Sequence, residues 1–208
     1  MAWDVFNRYA ERYDKWFDLN PFVFKSELIV LRKVLPKDGI GVEIGVGTGR
    51  FASSLNIKIG IDPSISMLRI AKKRKINLVR AVSEDLPFLD SSIDFLLMNT
   101  VLCYVNDPIR SIREARRVLR PNGKLIIGMI DGDSFLGRIY KSNGSSFYKD
   151  ARFYPVLDVL SWLRRFDFGE IEVFQTMFKK TSEIKEIEPV KEGYGEGGFV
   201  VISSKKRP

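Results

Sequence analysis

The chain has 208 residues, no histidine and one cysteine, Cys103. Without imidazole there is no Ser-His-Asp or Cys-His nucleophilic system and no histidine general base, and almost every transition-metal site is ruled out. A lone cysteine forms neither an intramolecular disulfide nor a cysteine-rich zinc site. Glutamine occurs once, at Gln175. Internal repeats and low-complexity tracts are missing. So is any long apolar run: the stretch from Ile93 to Val105 is too short to span a bilayer and contains Asp94 and Asn99. Met1 to Asp4 lacks the basic and apolar regions of a secretory signal, so a cytoplasmic protein with no membrane insertion is expected. A reaction whose electrophile arrives already activated on a cofactor fits these limits.

Apolar residues make up 45% of the chain, enough for the core of one domain. The net charge is +8, from 34 basic and 26 acidic residues. A basic balance can serve nucleic-acid binding. Here the charges alternate in sign, and the scarcity of glutamine beside abundant lysine and isoleucine resembles a thermophile's surface. A nucleic-acid partner is therefore disfavoured.

Phe6, Tyr9, Ala10, Tyr13, Trp16 and Phe17 recur by threes and fours and predict an aromatic helix face. A second helix is predicted from Asn20-Pro21, carrying Leu28, Leu31, Val34 and Leu35 and ending at Pro36. Residues 1–36 thus read as a helical cap. Over residues 37–130, strands at 40–46, 57–61, 76–82, 93–99 and 124–130 alternate with helices at about 50–55, 64–73 and 106–120. That alternation predicts an α/β, doubly wound, mostly parallel sheet. Residues 131–154 show no clear period and read as a long insertion of the kind that carries function. In residues 155–208 a helix at 155–165 precedes strands at 171–178 and 198–203. With no crossover helix between them, those two strands can pair antiparallel.

Two motifs carry chemistry. In Glu43 to Phe51 (EIGVGTGRF), Gly45, Gly47 and Gly49 allow a sharp turn and close backbone approach to a ligand. The dinucleotide fingerprint needs a glycine at position 50, where this chain has Arg50. Glu43, two residues before the first glycine, suits a cationic ligand better than a pyrophosphate. A purely structural tight turn is the alternative. Asp62 ends the next predicted strand, where a carboxylate can accept both hydroxyls of a ribose. The plainer reading is an acid favoured at a helix start.

Together these segments resemble the class I S-adenosylmethionine-dependent methyltransferases, in particular the small-molecule branch that includes the quinone-biosynthesis methyltransferases. Glu43 to Phe51 resembles the family's first motif and Ile59 to Leu68 (IGIDPSISML) its second. Ser83 to Asp90 (SEDLPFLD) resembles the segment bordering the adenine, and Ile93 to Asn99 the fourth strand. Glu114 to Leu125 (EARRVLRPNGKL) resembles the helix and turn that lead into the fifth strand. The likeness is collinear from about Phe6 to Ile130. It implies a seven-stranded Rossmann-like sheet with an antiparallel last strand, and S-adenosylmethionine as cofactor. It further implies that Gly45 and Asn99 hold the methionine moiety with Glu43 supporting its ammonium, and that Asp62 holds the ribose. Met67 and Leu86 would pack on the adenine, with Ser83 and Glu84 at its edge. Relatives use the N-terminal segment to cover the cofactor.

The chain departs from the family in three places. Its first core helix is about one turn short, judged by the helical repeat. Ala81-Val82 stand where an adenine-binding carboxylate is common, and Cys103-Tyr104 where relatives carry two histidines. Tyr13 and Tyr104 are candidates for orienting the acceptor or taking its proton, with Asp131 after the fifth strand as another. The face formed by Arg110, Arg113, Arg117 and Arg120 could meet RNA phosphates, but it lacks interleaved aromatics and reads as a solvated face. The leading expectation is methyl transfer to a small-molecule O, N or C acceptor. The rivals are an RNA methyltransferase, an NAD-dependent oxidoreductase and a non-catalytic cofactor-binding protein.

Overall fold

The computed structural model describes residues 3–142 and 144–208. The described residues form eight α-helices: α1 (Asp4–Arg8), α2 (Ala10–Leu19), α3 (Pro21–Val34), α4 (Arg50–Ser54), α5 (Ile65–Ala71), α6 (Pro108–Val118), α7 (Phe135–Ser142) and α8 (Val156–Arg165). The strands are β1 (Gly41–Ile44), β2 (Ile59–Ile61), β3 (Asn77–Val79), β4 (Ile93–Asn99), β5 (Leu119–Ile130), β6 (Phe168–Thr176), β7 (Lys191–Glu192) and β8 (Phe199–Lys206). They form one sheet in the order β3-β2-β1-β4-β5-β8-β6-β7.

The first five strands run parallel, and β8 inserts antiparallel between β5 and β6. This is the doubly wound sheet with an antiparallel last strand that the sequence predicts. The eighth strand is the addition: β7 pairs only Lys191 and Glu192 with the edge of β6, too short to leave a hydrophobic pattern.

Period-two alternation splits the core into two layers. From β4, Leu96 and Met98 face α6 and α8, meeting Ile112, Ala115, Val159 and Leu163. Phe95 and Leu97 face the opposite side, with Leu31 and Val34 of α3 and Phe51 of α4. Each fully buried side chain of this size contributes roughly 1.5–3 kcal/mol relative to exposure.

Several boundaries differ from expectation for local reasons. The aromatic N-terminal stretch is two helices, not one, because Tyr9 leaves helical geometry at φ −124°. The 131–154 segment is not structureless; it contains α7. The helix expected to reach Arg120 stops at Val118, because Leu119 is already extended and joins β5. At its start, α6 is capped by Asp107 Oδ1, which accepts from Arg110 N at 2.9 Å, with Pro108 in the first turn. The short α4 ends at Leu55, followed by Asn56 at φ +61°. Among the described residues no helix is long and apolar enough to cross a membrane.

Candidate cofactor and acceptor site

The glycine loop follows β1 at the centre of the sheet. Gly45 has φ +68°, and a Cβ there would lie 1.7 Å from Val101 Cγ2, so both conformation and space demand glycine. Gly47, at φ +53°, has only Tyr13 Cε1 near its missing Cβ, at 3.7 Å. Gly49 does different work. It caps α4 at φ +81° and packs against Ile76 and Ala71, away from the cavity described below.

Asp62 fastens this loop to the end of β2. Its Oδ2 accepts from Gly47 N at 2.9 Å and its Oδ1 from Ser64 N at 2.8 Å. Burial raises its carboxyl to about 6, against those two hydrogen bonds. Glu43 lies beneath the loop, 2% exposed, and its Oε2 has no partner among the described residues. Burial pushes its carboxyl well above the usual range; the Ala52 backbone opposes the shift and the Asp62 charge adds to it. Asn99, at the end of β4, is 5% exposed and makes no side-chain hydrogen bond among the described residues through either Oδ1 or Nδ2. Gly128 of β5 makes room for it: a Cβ there would sit 2.3 Å from Asn99 Oδ1.

Buried polar groups are normally paired, and those left unpaired point to a ligand. Glu43 supplies an acceptor, Asn99 both a donor and an acceptor, and Gly45 and Gly47 open backbone. That set fits an amino-acid moiety with its ammonium and carboxylate, and Asp62 fits the neighbouring ribose.

Gly45, Gly47, Asp62 and Asn99 border a cavity of about 400 Å³, whereas Glu43 lies behind its wall; the volume is within the usual range of roughly 300–1,000 Å³ for small-molecule sites. One end is lined by Gly45, Gly47, Asp62, Met67, Ser83, Glu84 and Asn99, the other by Tyr13, Glu27, Tyr104, Tyr140, Phe147 and Tyr148. Thr100, at φ +54°, turns the chain after β4 so that residues 99–106 wall the middle. The insertion closes over them: Arg152 N donates to Cys103 O at 2.8 Å.

Not every predicted residue reaches the cavity. Leu86 belongs to the core layer with α6; its N–H goes to Glu114 and its carbonyl accepts from Arg117. Glu84 borders the cavity, but Oε1 already accepts from Asn106 N at 2.8 Å and Oε2 from Ser83 Oγ at 3.0 Å. Asp131 is turned away, accepting from Asp133 N and Val156 N. Tyr13 and Tyr104 do line the cavity. Burial raises both phenols, with Glu27 adding most among the neighbouring charges on Tyr13 and Cys103 among those on Tyr104. Both are held protonated, which suits orienting an acceptor and opposes taking its proton.

Glu27, Tyr140 and Thr181 line the cavity without having been singled out from sequence. Tyr140 Oη and Thr181 Oγ1 lie 2.7 Å apart. Glu27 did leave a trace. It shares the buried α3 face with Val23, Val30, Leu31 and Val34, a carboxylate at the spacing of core positions.

An ionic clamp holds the cap over the glycine loop. Arg50 donates to Asp14 and Asp18 of α2, and Arg74 donates to Asp14 and to the Thr48 carbonyl. Burial would raise Asp14, yet bonds from Arg50, Thr48 and Arg74 bring its carboxyl down to about 2. Of the four arginines read from the sequence as one basic face, Arg113 and Arg117 lie on α6, Arg120 already belongs to β5, and these three are engaged while Arg110 is exposed. Arg117 pairs with Glu114 and Asp90, Arg120 pairs with Asp94, and Arg113 lies over the Phe166 ring at 5.8 Å.

Fold and site together define a Rossmann-like methyltransferase. Comparison with known proteins agrees. The profile of a family described as a methyltransferase domain matches residues 42–127. An uncharacterized protein of Methanocaldococcus jannaschii is 53% identical over 205 residues, spanning 98% of this chain and 99% of that one. A crystal structure from Thermotoga maritima, described as an SAM-dependent methyltransferase and possible histamine N-methyltransferase, matches with a TM-score of 0.96 at 48% identity, covering 100% of both chains. A ubiquinone/menaquinone biosynthesis C-methyltransferase of Rickettsia bellii is 32% identical over 144 residues, 59% of this chain and 57% of that protein. The chain belongs to the class I S-adenosylmethionine-dependent methyltransferases. Its cofactor is S-adenosylmethionine.

Proposed function

We propose that the chain methylates a small-molecule acceptor enclosed beside the cofactor. One observation carries this reading: the residues suited to the cofactor and a separate aromatic end belong to one cavity of about 400 Å³, walled by the cap and the insertion. A volume of this kind admits a small acceptor and leaves little room for a polynucleotide. The ion pairs of Arg117 in α6 and Arg120 in β5 argue the same way, since paired guanidiniums are poor partners for phosphate. The Thermotoga protein's description as a possible histamine N-methyltransferase is compatible with an acceptor of this size.

In this reading Gly45, Asn99 and Glu43 hold the amino-acid end of the cofactor, Asp62 the ribose, and Met67 an adenine face. Ser83 borders the adenine edge. Glu84 contributes mainly by fixing the 106–107 turn through its bonds to backbone N–H groups. Leu86 and Gly49 act from behind, through packing. Bound S-adenosylmethionine supplies a methyl group on a sulfonium, a good leaving group as a neutral thioether. The protein then has to orient the acceptor in line and exclude water, effects worth roughly 7–11 kcal/mol in favourable cases. Tyr13 and Tyr104 orient the acceptor with phenolic hydroxyls that stay protonated.

Calorimetric titration with S-adenosylhomocysteine, with NAD and with bulk tRNA tests the reading. Binding of the first alone is expected. Tight NAD binding, or tRNA binding comparable to that of S-adenosylhomocysteine, would overturn it.

A further inference from the structure

Glu27 stands apart from the cofactor residues. It lies on α3 at the aromatic end of the cavity, 7% exposed, and its carboxylate makes no hydrogen bond or ion pair among the described residues. The neighbouring Glu188 shows how this fold treats a buried acid with a structural task. Its Oε2 accepts from Phe178 N at 2.9 Å and its Oε1 lies 3.2 Å from Lys179 Nζ. Glu27 has no such provision. Burial alone accounts for the rise of its carboxyl to about 8, with no neighbouring charge or donor offsetting it.

Glu27's surroundings favour a cation. Its field reaches Tyr13, Tyr140 and Tyr148, and the last two rings stack with centroids 4.4 Å apart. Aromatic faces attract cations, most strongly where water is excluded. The cavity's two arginines are engaged or open to solvent: Arg12 lies over Phe147 at 5.7 Å, and Arg152 is exposed. A desolvated carboxylate ringed by aromatics, with no cation of its own, is an incomplete pair that a ligand can complete.

We propose that Glu27 is the acceptor-binding carboxylate of this cavity, and that the acceptor is a small organic amine or similar nitrogen base, cationic in water. This rests on the small-molecule reading above. The carboxylate receives a hydrogen bond from the ammonium while the tyrosine rings cover its apolar part. A shift of that proton to Glu27 leaves a neutral amine beside a carboxylic acid and frees the nitrogen lone pair, so one contact both selects and deprotonates the acceptor. Anionic acceptors are disfavoured, because Glu27 offers them no positive partner and the cavity's arginines, Arg12 and Arg152, are both exposed to solvent.

The test uses the full chain saturated with S-adenosylhomocysteine and titrated by calorimetry with 2-phenylethylamine, tryptamine and the uncharged 2-phenylethanol. The amines are expected to bind at least about tenfold more tightly than the alcohol. Glu27→Gln keeps the shape and is expected to abolish that preference while S-adenosylhomocysteine affinity stays within about twofold. Selectivity is a readout that a merely structural role would not move. Amines binding no better than the alcohol to the wild type, or an unchanged preference in Glu27→Gln, overturns the proposal. The wild-type comparison decides it even where the variant fails to fold. Failure of the wild type to bind S-adenosylhomocysteine is a separate result, which overturns the methyltransferase reading instead.

Discussion

Arg50 donates from Nε and Nη2 to the two carboxylate oxygens of Asp14, at 2.8 and 3.1 Å. The arginine occupies the position at which a dinucleotide fingerprint requires glycine, immediately after the glycine loop. Its side chain reaches out to the cap, and Arg74 approaches the same carboxylate from the end of the next helical segment at 3.0 Å. The departure that sets the loop apart from a dinucleotide site is thus also the device that ties α2 down over it.

Asp14→Ala should loosen the cap. Hydrogen bonds to charged groups contribute about 1.5–3 kcal/mol each where they are shielded from water, and this pair is partly shielded. Chemical denaturation should show a loss in that range, and limited proteolysis should cut faster within residues 3–20. Acid should have the same effect on the wild type. The Asp14 carboxyl falls from 3.8 to about 2 on folding. Its contribution is therefore complete above pH 3.8 and lost as pH drops through about 2. A wild type and Asp14→Ala variant that lose stability equally over that window would refute the clamp.

Gly45→Ala and Gly47→Ala should separate folding from binding. At Gly45 the new methyl meets Val101 at 1.7 Å, so the loop must shift and thermal stability should fall by several degrees, with cofactor binding lost. At Gly47 the nearest atom is at 3.7 Å and only the left-handed backbone is strained, at about 1–2 kcal/mol. That variant should fold and bind S-adenosylhomocysteine more weakly. Equal stability loss in the two, followed by thermal melts, would contradict this geometry.

Asp62→Ala removes two loop anchors and the proposed ribose acceptor, and should weaken S-adenosylhomocysteine by at least about tenfold, or 1.4 kcal/mol. The acid also sets a pH dependence. Hydroxyl donors favour the ionised carboxylate, whose proton leaves at about pH 6, so wild-type affinity should rise from pH 5 to 7. Asp62→Asn should lack that rise. Calorimetry at pH 5, 6 and 7 checks it, and parallel profiles would remove Asp62 from the site.

Glu27 predicts the opposite of an ordinary salt-bridged acid. Its carboxyl rises from 4.5 to about 8 on folding. The associated stability is fully present below pH 4.5 and is lost as pH climbs through about 8. Tyr13, Tyr140 and Tyr148 around it are all raised, so they stay protonated across this window. Glu27→Leu should be more stable than the wild type at pH 8.5, by an amount on the order of 2–4 kcal/mol, with the gap closing toward pH 5. Melting curves at both pH values measure it. A destabilised Glu27→Leu at pH 8.5 would mean that the acid has a structural partner.

Much of the proposed cofactor end was legible because it is built at strand ends. Asp62 follows β2, Asn99 closes β4 and Glu43 is the penultimate residue of β1, and a strand's end can be read from where its apolar run stops. Gly45 and Gly47 were legible for the same reason, since the turn begins where β1 stops. Leu86 and Gly49 lie within the same motifs yet face away. Leu86 is drawn into the layer against α6 by Glu114 and Arg117, 28 and 31 residues downstream. Gly49 is held by Ile76 and Ala71. No local pattern encodes contacts at such separations.

The proposed acceptor end came mostly from the tertiary structure. Tyr13 and Tyr104 were candidates from the sequence, but Glu27, Tyr140 and Thr181 belong to α3, α7 and a late turn, and only the closed fold brings them to one cavity with Tyr13. By itself the sequence determined the order of strands and helices, the glycine loop and the exclusion of imidazole chemistry, because periodicity, turn residues and composition are local properties of the chain. Tertiary structure decided that Arg50 grips Asp14, that Arg117 and Arg120 are engaged in ion pairs, and that Glu27 is buried without a partner among the described residues. Burial and charge pairing depend on which distant segments meet, and that is settled only when the sheet closes and the cap folds over the loop at Glu43 to Gly49.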